Sequence, residues 1–341
     1  MGFFDLFGFL GKDLAMDLGT ANTLIYTPKD GLVLNEPSVV AIDVRTNKVM
    51  AVGREAKEFL GRTPQSIHSI RPMKDGVIAD FDGTREMISF FIKKVMTGLN
   101  IVKPRIVIGV PSGITQVEKR AVIESAQQAG ARDVKLIDEP MAAAIGAGRP
   151  VNEPIGTLVV DIGGGTTEVA IISLSAVAYA ESVRVAGDEL NEAVQRCFQD
   201  NFHLLIGENM AEKIKMTIGS AYPLPQPMSM EVSGKNIIKG TPMSVTANDT
   251  QIREALSEPV RIIISAIRRA LEKTPPELSA DISNDGLLLA GGGAMLKGLD
   301  QLITVETGLK VIIDPDPLTT VVRGAGATLE NKNLWSKIYI N

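Results

Sequence analysis

Two short segments of this chain are versions of one another, and together they constrain the fold more than any other feature. Leu14-Ala15-Met16-Asp17-Leu18-Gly19-Thr20-Ala21-Asn22-Thr23 recurs as Leu158-Val159-Val160-Asp161-Ile162-Gly163-Gly164-Gly165-Thr166-Thr167. Each copy is an apolar run, an Asp, a glycine-bearing turn with hydroxyls, and a second β-prone run (Leu24-Ile25-Tyr26; Val169-Ala170-Ile171-Ile172). That pattern predicts a β-hairpin whose turn is built to approach an anion. Glycine lacks a Cβ, so successive backbone N–H groups can close on phosphate oxygens, and the Thr and Asn side chains add neutral donors. An Asp beside a phosphate is repelled unless a hard cation lies between them, and Mg²⁺ held partly through water is the usual solution. Two such loops in one chain imply a duplicated domain that grips a polyphosphate from both sides.

Bulk properties narrow the function further. The chain has 341 residues, 45% of them apolar and 22% charged, which is enough for two domains with real cores. A net charge of −5 and a pI of about 5.3 argue against nucleic acid as a partner, since phosphate-backbone binding wants a basic face. The single cysteine, Cys197, excludes an internal disulfide and fits a reducing cytoplasm. With only His68 and His203, a histidine-rich metal centre is not expected. No run approaches the ~20 apolar residues that span a bilayer.

The N-terminus is unusual: Phe3, Phe4, Leu6, Phe7, Phe9 and Leu10 crowd together before the first strand, and Phe3, Leu6, Phe7 and Leu10 share one helical face. It lacks the basic start and cleavage site of a signal peptide, and Leu6 stands where a myristoylation signal has Ser or Thr. Two readings remain: side chains packed under the domain edge, or an interfacial anchor with its aromatics in the headgroup region. Gly8 and Gly11 weaken the helix in either case.

Along the rest of the chain, strands and helices alternate in two similar halves, which predicts an α/β architecture with mostly parallel crossovers and a ligand cleft between the halves. Residues 105–110 read as a buried strand ending at Pro111-Ser112-Gly113, followed by a helix over 116–130 and a strand over 134–137. In the second half, residues 187–202, 209–220 and 249–274 read as helices, with a hairpin turning around Ser233-Gly234-Lys235-Asn236. Residues 286–290 form a buried strand that feeds Gly291-Gly292-Gly293 and a helix from Met295, a third close approach to a nucleotide. The P-loop and dinucleotide-fold spacings are not met. Glu139 follows a buried strand, where a carboxylate can orient or deprotonate an attacking water; the bland alternative is that Asp138 or Glu139 caps the next helix. Glu208, Glu212 and Lys213 share a helical face, which by spacing alone is an ordinary solvated network.

At this point the motifs resemble the actin-like ATPase superfamily, and beyond the fold the chain is similar throughout to the MreB family of bacterial rod-shape proteins. The resemblance is carried by the two Asp-Gly hairpins, Asn35-Glu36-Pro37-Ser38-Val39-Val40, Arg71-Pro72-Met73-Lys74-Asp75-Gly76, Ile137-Asp138-Glu139-Pro140-Met141-Ala142 and the glycines after Ala290. It implies two similar α/β domains around a nucleotide cleft, each with a small subdomain. Domain I would run over 13–150 with its insert at about 33–78, and domain II over 151–330 with its insert at about 187–255. A membrane anchor would precede them at 1–12, and a tail would follow at 331–341. The resemblance also implies ATP and Mg²⁺ as cofactors. Asp17 and Asp161 would hold the metal through water, and Gly19, Thr20, Ala21, Asn22 and Gly163, Gly164, Gly165, Thr166 would form the phosphate loops. Glu139, with Asp161 and Thr166, would serve hydrolysis; Glu208, Glu212, Lys213, Gly291, Gly292, Gly293 and Ala294 would surround the nucleoside. The partners it implies are further copies of the chain in paired head-to-tail protofilaments, the inner face of the cell membrane, a transmembrane adaptor and the wall-elongation machinery. An apolar loop at residues 99–102 is a second candidate for the membrane contact. The competing reading is a small-molecule kinase of the same fold; a chaperone-type ATPase is disfavoured because no substrate-binding domain is legible after Leu329.

Overall fold

The structure, a computed structural model, describes residues 13–62, 66–96, 103–331 and 336–340. The N-terminal aromatic segment and the loop at 99–102, both proposed above as membrane contacts, lie outside the described residues. Among those described, no helix is long and apolar enough to cross a membrane.

The first half opens with a meander, β1 (Leu14–Leu18), β2 (Asn22–Thr27) and β3 (Gly31–Pro37). A small three-stranded sheet follows, from β4 (Val40–Asp43), β5 (Lys48–Val52) and β6 (Ile67–Ile70), with α1 (Arg54–Phe59) against it. The chain then passes through the short pair β7 (Met73–Lys74) and β8 (Val77–Ile78) into α2 (Phe81–Val95). It returns through β9 (Arg105–Val110), α3 (Gln116–Gln128), β10 (Asp133–Asp138) and α4 (Glu139–Gly146). Helix α2 starts at Phe81 because Asp80 accepts a hydrogen bond from the Gly83 N–H and caps it.

The second half repeats the plan. The meander is β11 (Thr157–Ile162), β12 (Thr167–Ser173) and β13 (Ala176–Val183), then α5 (Gly187–Phe202), β14 (Leu204–Leu205) and α6 (Glu208–Ile218). The hairpin β15 (Ser229–Asn236) and β16 (Pro242–Asn248) leads into α7 (Asp249–Lys273), α8 (Pro276–Asp285), β17 (Leu287–Ala290), α9 (Leu299–Thr307), β18 (Val311–Ile313) and α10 (Thr320–Glu330). The duplication expected from the repeat is explicit in the sheets, whose orders are β10-β9-β1-β2-β3 and β13-β12-β11-β17-β18. In each, an antiparallel meander carries two parallel strands beside its first strand.

Three details depart from the sequence reading. Ser233–Asn236 is not a turn but the end of β15; the chain reverses at residues 237–241, where Asn236 Oδ1 accepts the Ile238 and Lys239 N–H groups. The glycines after β17 enter a single 3-10 turn, Gly292–Met295, and the helix begins only at Leu299. Beyond the helix read over 249–274 a further one forms, α8, and Pro276 occupies its first turn, where its missing N–H costs nothing.

Each sheet buries an apolar core with its own helices, one around Leu14, Phe91 and Ile108 and one around Leu158, Phe198 and Ile267. A third apolar cluster joins the halves: Ala142 and Ala143 of α4 and Val321, Val322 and Ala325 of α10 lie among residues from both sheets. These two helices touch backbone to backbone, for a Cβ on Gly324 would lie 1.8 Å from the Ala142 carbonyl oxygen. Helix α10 also packs on β1, β2 and β9, and the Ile340 N–H donates to the Leu136 carbonyl, so the C-terminal residues return to the first sheet.

Candidate functional site

Both aspartates stand near the carboxyl ends of central strands, where ligands of α/β sheets are bound. Asp17 pairs with Gly109 of β9 and Asp161 with Ala290 of β17, in parallel register. The Leu18–Thr23 and Ile162–Thr167 pairs close two loops of equal length, Gly19-Thr20-Ala21-Asn22 and Gly163-Gly164-Gly165-Thr166. The loops face one another across the floor of the cleft. A Cβ on Gly164 would lie 2.7 Å from that of Ala21, so only glycine permits this approach. Thr20 and Thr166 are buried, and Thr20 Oγ1 accepts the Gly76 N–H at 3.2 Å. Gly291 stands where a Cβ would meet Asp161 Oδ1 at 2.4 Å, and its φ of +79° is left-handed.

Four carboxylic acids converge here. Burial, then the neighbouring Asp161, pushes Asp17 up to about 7. Burial pushes Asp161 to about 6 and Glu168 to about 7. Glu139, at the first position of α4 and 9% exposed, is raised well above the usual carboxylate range by burial and then by Asp17 and Asp161. None of the four forms an ion pair with a Lys or Arg among the described residues. Asp161 Oδ1 is buried and has no hydrogen-bond partner. A concentration of acids with an orphaned oxygen fits a hard cation. No group of three or more His, Cys, Asp or Glu side chains placed to hold a metal ion is present among the described residues. Asp138 occupies the N-cap of α4 but makes no side-chain cap hydrogen bond, which removes the capping reading for it.

At the mouth of the cleft the structure arranges the nucleoside candidates differently from one another. Glu208 and Glu212, on the first turns of α6, reach across to the first half: Arg71 pairs with Glu208 and, at 3.4 Å, with Asp188, and Lys57 Nζ lies 2.8 Å from Glu212. Lys213 is exposed. Lys215 and Met216 of α6, and Gly219 just past its end, are among the residues that line, with Gly292, Gly293 and Lys297, a cavity of about 80 Å³. Lys215 Nζ donates to the Gly187 carbonyl at 2.9 Å, and burial holds its ammonium below the usual range. Ala294 is buried behind the glycines. Sequence reasoning assigned no role to Lys57, Arg71, Lys215 or Glu168. Charge is the only signal at these positions, and their partners lie in the other half or on another element.

Two sheets of one duplicated topology, joined through α4 and α10 with the two glycine loops meeting between them, define the actin-like nucleotide-binding fold. A solved structure titled as a MamK double helical filament, 24% identical and covering 94% of this chain and 99% of its own, shares that fold with a TM-score of 0.79. The particular family is equally plain. The model of the MreB/Mbl protein family matches residues 11–337, and the chain belongs to that family. It is 55% identical over 328 residues to the cell shape-determining protein MreB of Escherichia coli, covering 95% of this chain and 94% of that protein. The crystal structure of MreB5 of Spiroplasma citri bound to ADP is 32% identical with a TM-score of 0.90, covering 96% of this chain and 98% of its own.

Proposed function

We propose that this protein is a Mg²⁺-dependent ATPase that polymerises into cytoskeletal filaments and organises rod shape. The observation that carries the reading is the pair of acidic glycine loops facing one another across one cleft, with Asp161 Oδ1 left without a partner. Support comes from relatives named as cell shape-determining proteins and from MreB5 structures bound to ADP and to AMPPNP. The same relatives speak against the small-molecule kinase. The main-chain N–H groups of residues 19–22 and 163–166 would bind the phosphates, and Asp17 and Asp161 would hold the metal through its water shell. Mg²⁺, when bound, neutralises the phosphate charge and that of the two aspartates. Glu139 then orients the attacking water and accepts its proton, with the Thr166 hydroxyl as partner. Gly291, Gly292, Gly293 and Ala294 cover one side of the nucleoside, and α6 the other through Lys215 and Met216 as well as Glu208, Glu212 and Lys213. The domain division follows the same reading, as 13–150 and 151–330 with inserts at about 33–78 and 187–255.

Filament assembly places many copies of a weak membrane contact on one polymer, which converts a short anchor into firm attachment. We place that contact at residues 1–12, on the inner face of the cell membrane, beside a transmembrane adaptor and the wall-elongation machinery. The test is sedimentation of purified protein with ATP and Mg²⁺, with and without anionic vesicles, checked by negative-stain microscopy. Ordered filaments enriched on vesicles are expected; a nucleotide-bound protein that stays monomeric in every condition overturns the cytoskeletal reading.

A further inference from the structure

One buried acid in the cleft has no part in the chemistry just described. Glu168 is 1% exposed and lies directly across the hairpin from Asp161. The duplicated hairpin of the first half has Leu24 at the corresponding place, paired with Asp17 and 4% exposed. The fold is therefore satisfied by an apolar side chain at this position, and a buried carboxylate there costs desolvation that leucine does not.

Its two oxygens point to different halves of the molecule. Glu168 Oε1 accepts the hydroxyl of Ser182, on the adjacent strand β13. Glu168 Oε2 accepts the backbone N–H of Ser112 at 3.1 Å, in the loop that follows β9 in the first half. Gly76 lies between that loop and the second phosphate loop and is close to both. A Cβ on Gly76 would lie 2.8 Å from Pro111 Cγ and 3.0 Å from Thr166 Cγ2, so Pro111, Gly76 and Thr166 converge on one point. Strand β9 in turn lies beside β10, directly after which Glu139 opens α4, and a Cβ on Gly109 would lie 3.5 Å from Glu139 Cγ.

We propose that Glu168 is a positioning residue of this site: by accepting the Ser112 N–H it ties the Pro111-Ser112 loop of the first half over Thr166 of the second, and so holds Glu139 at the distance from the phosphate loops that hydrolysis requires. The inference rests on the ATPase reading above. The tie needs an acceptor oxygen at this place rather than a charge, because its partner is a neutral amide. It acts on the alignment of groups from two domains, to which reaction rate is far more sensitive than ground-state binding.

The experiment compares full-length wild type, Glu168→Gln, Glu168→Ala and Ser182→Ala by single-turnover ATP hydrolysis with Mg²⁺, AMPPNP affinity and thermal unfolding. Glu168→Ala is expected to lower the hydrolysis rate about tenfold while AMPPNP Kd stays within about twofold. Glu168→Gln, which keeps an oxygen for the Ser112 N–H, is expected to return to within about threefold of wild type. Ser182→Ala keeps Glu168 but frees one of its oxygens, and is expected to lose about two- to fivefold, which keeps the test alive should Glu168→Ala not fold. A wild-type rate in Glu168→Ala or in Ser182→Ala overturns the proposal. So does equal impairment of Gln and Ala, which would make the ionised group itself the requirement, and so does a parallel loss of AMPPNP affinity and melting temperature. If wild type itself fails to hydrolyse ATP, the ATPase reading falls and takes this inference with it, an outcome recognisable without any variant.

Discussion

Glu139 is buried beside Asp17 and Asp161, and each acid disfavours the ionised form of the next. Removing it relieves repulsion and takes away the proposed base, without touching the two glycine loops proposed to hold phosphate. Glu139→Ala should therefore keep nucleotide affinity while phosphate release falls about a hundredfold or more, leaving over-stable filaments. Normal phosphate release by this variant, followed with a coupled phosphate assay, would exclude the role. The raised acids also set a pH dependence. Asp161 sits at about 6 and Asp17 and Glu168 at about 7 in the folded protein, against about 4 for exposed carboxylates. Between those values the folded chain binds more protons than the unfolded one, so this contribution to stability is complete below about pH 4 and is lost as pH rises through 6 to 7. In EDTA without nucleotide, the melting temperature should be lower at pH 8 than at pH 6. Mg²⁺ with AMPPNP should narrow that gap, since a bound cation favours the ionised form; a melting temperature that rises with pH in EDTA would contradict the assignment.

Among the elements, α1 and the Arg71 segment after β6 meet α5 and α6 across the cleft mouth through charge. Lys57 of α1 pairs with Glu212 of α6, and Arg71 pairs with Glu208 of α6 and Asp188 of α5. Helices α4 and α10 lie among residues of both sheets and join the halves at the far side, so these ion pairs are a second link between the halves. Each partly exposed pair is worth about 0.2–1 kcal/mol and is screened by salt. Lys57→Glu should speed release of a fluorescent nucleotide by about two- to fivefold, and the swap Lys57→Glu with Glu212→Lys should restore the slower rate. Release that is unchanged in the single variant would show that the pair carries no closure. Most elements were legible because their signals are local: β9 and α5 match the sequence reading residue for residue, one as an apolar run and the other as an amphipathic period. The turn after β15 was misplaced because Gly234 reads as a turn residue, whereas it continues the strand, its backbone packed against β14: a Cβ there would lie 2.4 Å from the Leu205 carbonyl.

For the molecule as a whole, the proposed membrane attachment and filament assembly belong together. Deleting residues 2–11 should release the protein from anionic vesicles in a flotation assay while nucleotide affinity stays unchanged, because the first phosphate loop begins only at Gly19. Unchanged vesicle recovery would move the contact elsewhere. The amino-acid sequence by itself determined the duplication, the two acidic glycine loops, Glu139 just after a buried strand and the alternation of strands and helices. All of these are written in short contiguous patterns, and period, glycine spacing and hairpin chemistry act over a few residues. Only the tertiary structure decided which charges face one another across the cleft, that α4 and α10 touch backbone to backbone, and that Glu168 reaches an amide of the opposite half. Those contacts join residues far apart in the chain, and a carboxylate's partner is set by where two independently folded sheets bring it.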